Sequence, residues 1–185
     1  MDEDLSDESL MLKFSRGNAD AFEVVYQRHK NPLYGFILRQ CEQSFVDELF
    51  QDIWLNVINA RFNYKVKASF KTWLYHIARN RIIDHYRRQN IRAVDNDPEQ
   101  IGKICGASDS QPENQLEASS QLQRLMNAIA ALPNEQKEAF LLRQEAGLTV
   151  DEIAITTGVS YETAKSRLRY AIKKLRQQLE TDDEP

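Results

Sequence analysis

The side chains best suited to a function lie in one long stretch, SFKTWLYHIARNRIIDHYRR, residues 69–88. Ser69 is a favourable N-cap, and neither proline nor glycine interrupts the helix predicted after it. Its first half has an apolar repeat at helical spacing, formed by Phe70, Trp73, Leu74 and Ile77. Its second half carries cations, amides and aromatic rings: Arg79, Asn80, Arg81, His85, Tyr86, Arg87 and Arg88. This mixture suits the phosphates and unstacked bases of nucleic acid, although a solvated basic helix end is the alternative.

A second basic stretch, near the C-terminus, follows a helix-turn-helix pattern. Thr149 and Glu152 have capping-box spacing, Gly158 marks a turn, and a longer helix is predicted from Tyr161. An apolar stripe on that helix is expected to face inward: Tyr161, Ala164, Leu168, Ala171, Ile172, Leu175 and Leu179. Polar candidates for reading base edges lie off this stripe: Lys165, Ser166, Arg167, Arg169 and Tyr170.

The residues give no sign of catalysis. His29, His76 and His85 have no cysteine or carboxylate at metal-ligand spacing, and there is no phosphate-binding loop or nucleophile elbow. Cys41 and Cys105 are far apart and form no CxxC motif. We therefore expect no enzymatic activity, no metal site and no cofactor.

Composition predicts an all-α protein in the cytoplasm. The 185 residues are 42% hydrophobic, with only six glycines and five prolines. No apolar run has the length of a membrane span, and the acidic N-terminus is unlike a signal peptide. The net charge is −4, but bases concentrate in 70–92 and 161–178 while acids concentrate at both ends. Basic stripes between acidic ends are compatible with weak or masked DNA binding.

Cap and break signals divide the N-terminal half into helices. Ser6 is expected to cap a helix over 6–16, and Asn18 a second over 19–29. Asn31-Pro32 predicts a break and restart, and Ser44 is expected to cap the helix FVDELFQDIWLNVINARF. That helix pairs an apolar core side with a surface that mixes acids with Trp54, Leu55 and Ile58. Such a surface favours docking of a basic, partly apolar partner, unless Trp54 and Leu55 pack on neighbouring helices.

Residues 93–117 lack periodicity and contain two prolines, two glycines and many acids and amides. They predict a flexible linker between two small helical domains, 1–92 and 118–185.

Four segments together resemble the extracytoplasmic function group of bacterial RNA polymerase sigma factors: AFEVVYQRHKNPLYGFI, DELFQDIWLNVI, SFKTWLYHIARNRIIDHYRR and LPNEQKEAFLLRQEAGLTVDEIAITTGVSYETAKSRLRYAIKKL. The resemblance spans nearly the whole chain. It implies an N-terminal bundle of sigma region 2 type and a C-terminal helix-turn-helix domain of region 4 type. The implied function is promoter-specific initiation of transcription, in a stress or envelope response.

The resemblance also implies residue roles. Contacts to the clamp helices of core RNA polymerase fall on Asp47, Glu48, Gln51, Asp52 and Leu55. Recognition and melting of the minus-10 element fall on Tyr64, Lys65, Lys67, Arg79, Asn80, Arg87 and Arg88. Minus-35 recognition falls on Lys165, Ser166, Arg167, Arg169 and Tyr170. The implied partners are core polymerase, promoter DNA and an anti-sigma factor, which is often membrane-anchored, and no direct membrane insertion is expected.

One pattern does not fit a simple helical wheel. Arg81 falls on the same side as the apolar stripe of 70–77, while Ile82, Ile83 and Tyr86 point elsewhere. Ile82 and Ile83 are therefore candidates for contact with an anti-sigma factor.

Two other protein classes remain open. A helix-turn-helix regulator with a helical dimerisation or sensing domain explains 118–179 equally well, but not the mixed surface at 47–58. A helical adaptor that binds only proteins leaves both basic stripes without a role.

Overall fold

The computed structural model describes the backbone of residues 4–96 and 118–181, which form eight α-helices and one short 3-10 turn, Arg61–Asn63, without any strand. The all-α prediction is therefore confirmed. The helices are α1 (Asp7–Ser15), α2 (Ala19–Leu38), α3 (Gln43–Ala60), α4 (Phe70–Asn96), α5 (Ala118–Ala130), α6 (Asn134–Gln144), α7 (Val150–Thr157) and α8 (Tyr161–Thr181). Helix α4 extends into the first four residues of the expected linker, 93–96. The rest of it, with Cys105, lies outside the described residues.

Two of the N-terminal caps are as predicted, and two boundaries are not. The Ser6 and Asn18 side chains accept backbone N–H groups at the starts of α1 and α2. The break expected at Pro32 is wrong, because α2 runs through Pro32 without interruption. Buried Leu33 and Phe36 follow it, and their packing outweighs the local cost of a proline inside a helix. The cap expected at Ser44 is also wrong, since α3 begins one residue earlier, at Gln43.

The buried face of helix α4 includes Phe70 and Leu74 of the predicted stripe but is wider than the spacing predicts. Its buried side chains are Phe70, Thr72, Leu74, Tyr75, Ala78 and Ile82. This face is wider than one stripe because α3 packs on one side of α4 and α7 on another. Ile82 is therefore a core residue, while its neighbour Ile83 is exposed.

The start of α4 is held by its own N-cap and by a residue of α1. The Ser69 hydroxyl accepts the Thr72 N–H, as expected of an N-cap. In addition, Glu8 Oε1 in α1 accepts the Phe70 N–H over 2.7 Å. This second cap lies 62 residues away in sequence and fixes the position of α4 against α1.

The C-terminal helices form the predicted helix-turn-helix. Thr149 and Glu152 make both hydrogen bonds of a capping box at the start of α7. Gly158 ends α7 at a φ of 70°, a left-handed conformation that glycine adopts without strain. The inward stripe predicted for α8 holds at Ala164, Ala171 and Leu175, but Tyr161 and Ile172 are exposed.

Candidate nucleic-acid interface

Helix α3 presents a continuous stripe of acids, an amide and a leucine. Asp47, Glu48, Gln51 and Leu55 are exposed and Asp52 is half-buried. Their spacing places them on one side of the helix, opposite the buried Val46, Leu49, Ile53 and Val57. Leu55 is 54% exposed, so the stripe includes an accessible apolar side chain.

Trp54 does not belong to this stripe. Its ring is only 5% exposed and packs edge-on against Phe22 and Tyr26, with centroid distances of 5.8 and 4.9 Å. The mixed surface expected on α3 is thus narrower than its sequence indicates. Trp54 instead packs on a neighbouring helix, α2, which was the alternative to its exposure on this surface.

One side chain of the stripe is held by α2. The Tyr34 hydroxyl donates to Asp47 Oδ1 over 3.0 Å, and this hydrogen bond raises the pKa of Tyr34. The bond orients the Asp47 carboxylate without removing it from solvent.

The loop between α3 and α4 exposes two lysines and buries a tyrosine. Lys65 and Lys67 are exposed, with Val66 between them. The Tyr64 ring is 8% exposed and packs edge-on against Trp73, with the centroids 4.9 Å apart. Burial, followed by the nearby carboxylates of Glu8 and Asp7, raises the pKa of Tyr64 to about 12. In this conformation the Tyr64 ring is inaccessible to a base, so its DNA contact stays a prediction that requires the loop to open.

The polar side chains in the second half of α4 differ in their exposure to solvent. Arg87, Arg88 and Asn80 are exposed. Arg81 is internal, since its Nη2 donates to Asn56 Oδ1 of α3 over 2.6 Å. Arg79 is covered by the C-terminal domain, where its Nε donates to Glu138 Oε1 over 2.9 Å.

Helix α8 presents its polar candidates beside a shallow groove. Lys165, Arg169 and Tyr170 are exposed, whereas Ser166 and Arg167 are half-buried. Ser166, Arg167 and Tyr170 line the groove together with Glu135 and Glu162. Arg167 Nη2 lies 2.8 Å from Glu135 Oε2, so an acid of α6 already neutralises the central cation of this surface.

These acidic partners were missed by the sequence interpretation. Glu135 and Glu138 lie in α6, and Glu145 and Glu152 follow at intervals of seven residues from Glu138. That interval is the only sequence signal for them, and it is too common to indicate an interface by itself.

No cluster of three or more metal-ligating side chains occurs in residues 4–89 and 121–180, whose side chains the structure describes. Cys41 is half-buried, and burial raises the pKa of its thiol to about 11. Within the described helices, none is both long and apolar enough to cross a membrane.

Comparison with known families matches two parts of the chain. Residues 25–91 match the family described as Sigma-70 region 2, and residues 122–175 match the family described as Sigma-70, region 4. The first match contains α3 and most of α4, and the second contains the helix-turn-helix.

Similar proteins span almost the full length of the chain. The ECF RNA polymerase sigma-E factor of Haemophilus influenzae is 27% identical over 176 residues, which cover 91% of this chain and 92% of that protein. The sigma-E factor of Escherichia coli K12 is 26% identical over 174 residues, which cover 91% of each chain.

Two solved structures share the fold. CnrH in complex with the cytosolic domain of CnrY has a TM-score of 0.69 at 22% identity, over 96% of this chain and 99% of that chain. The sigma factor RpoE of Bartonella quintana, in complex with the anti-sigma factor NepR, has a TM-score of 0.71 at 22% identity, over 87% and 98%.

Proposed function

Since this chain belongs to the extracytoplasmic function group of the sigma-70 family, we propose that it binds core RNA polymerase in the cytoplasm and directs promoter-specific initiation of transcription. The observation that carries the proposal is the combination of three surfaces on one chain. These are the acidic and apolar stripe of α3, the basic half of α4 and the basic outer face of α8. Binding and positioning, rather than a chemical reaction, account for all three.

The stripe of α3 is the proposed docking surface for the clamp helices of the polymerase. Asp47, Glu48, Gln51 and Asp52 would pair with cations and amides of the partner, and Leu55 would enter an apolar depression. Exposed charges contribute mainly to the association rate and to specificity, whereas burial of a large apolar side chain contributes affinity.

Beside that stripe, the loop 64–67 and the exposed side of α4 would bind the minus-10 element. Lys65, Lys67, Arg87 and Arg88 supply cations for phosphates, and Asn80 supplies an amide for a base edge. Extruding a base from the duplex costs a few kcal/mol, which contacts to the extruded base must offset. Tyr64 would add a stacking surface only if the loop opened.

Helix α8 would lie in the major groove at the minus-35 element. Arg167 and Arg169 have the donor geometry that suits guanine. Lys165, Arg169 and Tyr170 are exposed, and Ser166 and Arg167 are half-buried. Each of these two DNA-binding surfaces alone would have a low affinity for DNA. Polymerase would fix their spacing, so that binding of the second element becomes intramolecular.

Control by an anti-sigma factor completes the proposal. The similar fold of Bartonella quintana RpoE was solved with the anti-sigma factor NepR. We infer that a partner of the same class restrains this chain until a stress or envelope signal releases it.

Run-off transcription with core polymerase and a library of genomic promoters tests the proposed function. We expect transcripts from a small set of promoters, only when both this protein and core polymerase are present. Tight binding to duplex DNA without core polymerase, and no transcripts, would instead support a helix-turn-helix regulator.

A further inference from the structure

The loop proposed to bind the minus-10 element is contacted by α1 at both of its ends. Before the loop, the guanidinium carbon of Arg61 lies 5.4 Å from the centroid of the Phe14 ring in α1. After the loop, Glu8 Oε1 in α1 accepts the Phe70 N–H over 2.7 Å. These two contacts enclose the loop 64–67, so α1 holds the chain on either side of it.

The cation before the loop contacts two aromatic rings. Besides the Phe14 ring, Arg61 faces the Phe62 ring, with 4.0 Å between its guanidinium carbon and the ring centroid. Arg61 Nη1 also donates to the Ile58 carbonyl near the end of α3 over 2.7 Å. Phe14 is half-buried and stacks on Phe22 of α2, with the centroids 4.6 Å apart. Arg61 therefore ties the turn before the loop to α1 through cation–π contacts.

Phe70 connects Glu8 to the loop through a cluster of rings. Its buried ring lies edge-on to the Tyr64 ring, with 6.5 Å between the centroids. The Trp73 ring completes the cluster, at 5.8 Å from Phe70 and 4.9 Å from Tyr64. Because closely packed side chains transmit displacement, a shift of Phe70 would move Tyr64 and the adjoining backbone of Lys65.

The first turn of α1 is itself fixed on α2. Asp7, the neighbour of Glu8, has its Oδ2 2.6 Å from His29 Nε2, and its Oδ1 accepts from Arg28 over 2.7 Å. The His29 ring also lies 5.2 Å from the Phe70 ring. Glu8 therefore reaches the Phe70 N–H from a turn whose position is set by its neighbours.

The loop has few contacts of its own to set its shape. The Tyr64 N–H donates to the Arg61 carbonyl over 3.3 Å, and the Lys67 N–H donates to the Lys65 carbonyl over 2.9 Å. Lys65, Val66 and Lys67 are exposed. Contacts made before and after the loop therefore determine where its two lysines lie.

We propose that α1 is a brace for the loop that binds the minus-10 element, and that Glu8 is the positioning residue through which this brace keeps Lys65 and Lys67 in place for the phosphates of the melted strand. The brace consists of the contacts of Glu8 and Phe14. The inference rests on the proposed function, because only there does the loop contact DNA. A loop that is already ordered loses less conformational entropy when DNA binds. Loss of the brace should therefore impair melting of the minus-10 element and leave docking of α3 unchanged.

Amide hydrogen exchange in the free, full-length protein tests the brace without polymerase. Glu8→Ala removes the acceptor, so the amides of 64–70 should exchange about 2- to 30-fold faster, the range that corresponds to loss of a helix cap. Glu8→Gln keeps a carbonyl oxygen at the position of Oε1 and should retain most of the wild-type protection. Wild-type protection of 64–70 in Glu8→Ala would overturn the proposal.

Asp20→Ala is the matched control, since Asp20 is an exposed acid in the first turn of α2. Its exchange over 64–70 should equal that of the wild type. Equal acceleration in Asp20→Ala and Glu8→Ala would overturn the proposal, because loss of an acid from any helix start would then be the cause.

Melting of a duplex promoter by the complex with core polymerase gives the second readout. The fluorescence of 2-aminopurine placed in the minus-10 element should show less melting with Glu8→Ala, and Glu8→Gln should restore it. The affinity for core polymerase should be the same in all three proteins. Melting by Glu8→Ala that equals or exceeds the wild-type level would overturn the proposal, and so would a parallel loss of melting and core affinity, which indicates a merely structural role.

Phe14→Leu tests the other half of the brace if Glu8→Ala does not fold. It keeps an apolar side chain beside Phe22 and removes the ring beside Arg61. We expect faster exchange of 64–67 and less melting, again without a change in core affinity. Wild-type exchange and melting in Phe14→Leu would overturn the proposal.

The two experiments separate this inference from the proposed function. The brace alone would be refuted if the wild type melts promoters with core polymerase and the Glu8 and Phe14 variants match it in both exchange and melting. The proposed function alone would be refuted if protection of the loop depends on Glu8 but the wild type never supports transcription.

Discussion

Arg81 and Asn56 join the proposed DNA-melting helix to the proposed docking helix, through a hydrogen bond of 2.6 Å from Arg81 Nη2 to Asn56 Oδ1. Asn56 is itself held, because its Nδ2 donates to the Asp52 carbonyl one turn earlier in α3. Arg81, which did not fit the apolar pattern expected for α4, thus connects α4 to α3. Docking of α3 on a partner would therefore fix the position of the exposed cations of α4.

Charge reversal on the α3 stripe should weaken binding to core polymerase. Asp47→Lys together with Glu48→Lys replaces two exposed carboxylates by cations, and like charges across an interface oppose association. We expect the dissociation constant for core polymerase, measured by fluorescence anisotropy, to rise about 10- to 100-fold, or ~1.4–2.8 kcal/mol.

Glu23→Lys supplies the control for that experiment, since Glu23 is exposed on α2 outside the stripe. The docking assignment would be refuted by a double variant that binds core polymerase as tightly as this control does.

Removing Arg167 or Arg169 should impair promoter use and spare core binding. Loss of a bidentate contact to a base costs about 1–3 kcal/mol. Core-dependent transcription should therefore fall by a factor of about 5 to 150 for Arg167→Ala or Arg169→Ala. The remaining transcription should also lose sensitivity to substitution of the minus-35 base pairs.

Arg16→Ala is the matched control for the α8 variants, because Arg16 is an exposed arginine at the end of α1. Parallel loss of transcription and core affinity in the α8 variants would point to misfolding rather than to lost DNA contacts.

Asp7 should make the stability of the protein depend on pH. Its Oδ2 lies 2.6 Å from His29 Nε2, and its Oδ1 accepts from Arg28 over 2.7 Å. Burial acts to raise the pKa of Asp7, but the hydrogen bonds from His29 and Arg28 outweigh it and hold the pKa below the ordinary 3.8. A carboxyl group with a lowered pKa in the folded state stabilises that state above the ordinary pKa, and the stabilisation is lost as the pH falls through the lowered value.

Urea unfolding of Asp7→Asn measures this contribution. At pH 7 the variant should lose about 1.5–3 kcal/mol of unfolding free energy, the range for hydrogen bonds to charged groups. The difference from wild type should persist above pH 4 and shrink as the pH falls below 3.8. Asp20→Asn controls for charge in the first turn of a helix, since Asp20 has the same kind of position in α2 but is exposed. If the difference in unfolding free energy between Asp7→Asn and wild type were the same at pH 7 and below pH 3.8, the carboxylate charge would be excluded as its cause.

Helices, caps and the helix-turn-helix could be predicted from the sequence because they depend on neighbours within about four residues. The caps at Ser6, Asn18 and Ser69 and the capping box at Thr149 and Glu152 are of this kind. The exposed cations Arg87 and Arg88, and the acids of α3, also followed from helical spacing alone.

Tertiary packing decided which candidate side chains are accessible, since spacing along one helix does not say how many neighbours cover it. Trp54 and Tyr64 are in the core because several aromatic rings converge on them, and Ile82 is buried because α4 is covered on more than one side. Arg79 meets Glu138 across 59 residues of chain, and Glu8 caps α4 from 62 residues away. The sequence by itself determined the helices and the polar faces they present, whereas only the packing of one domain on the other decided which of those faces are covered.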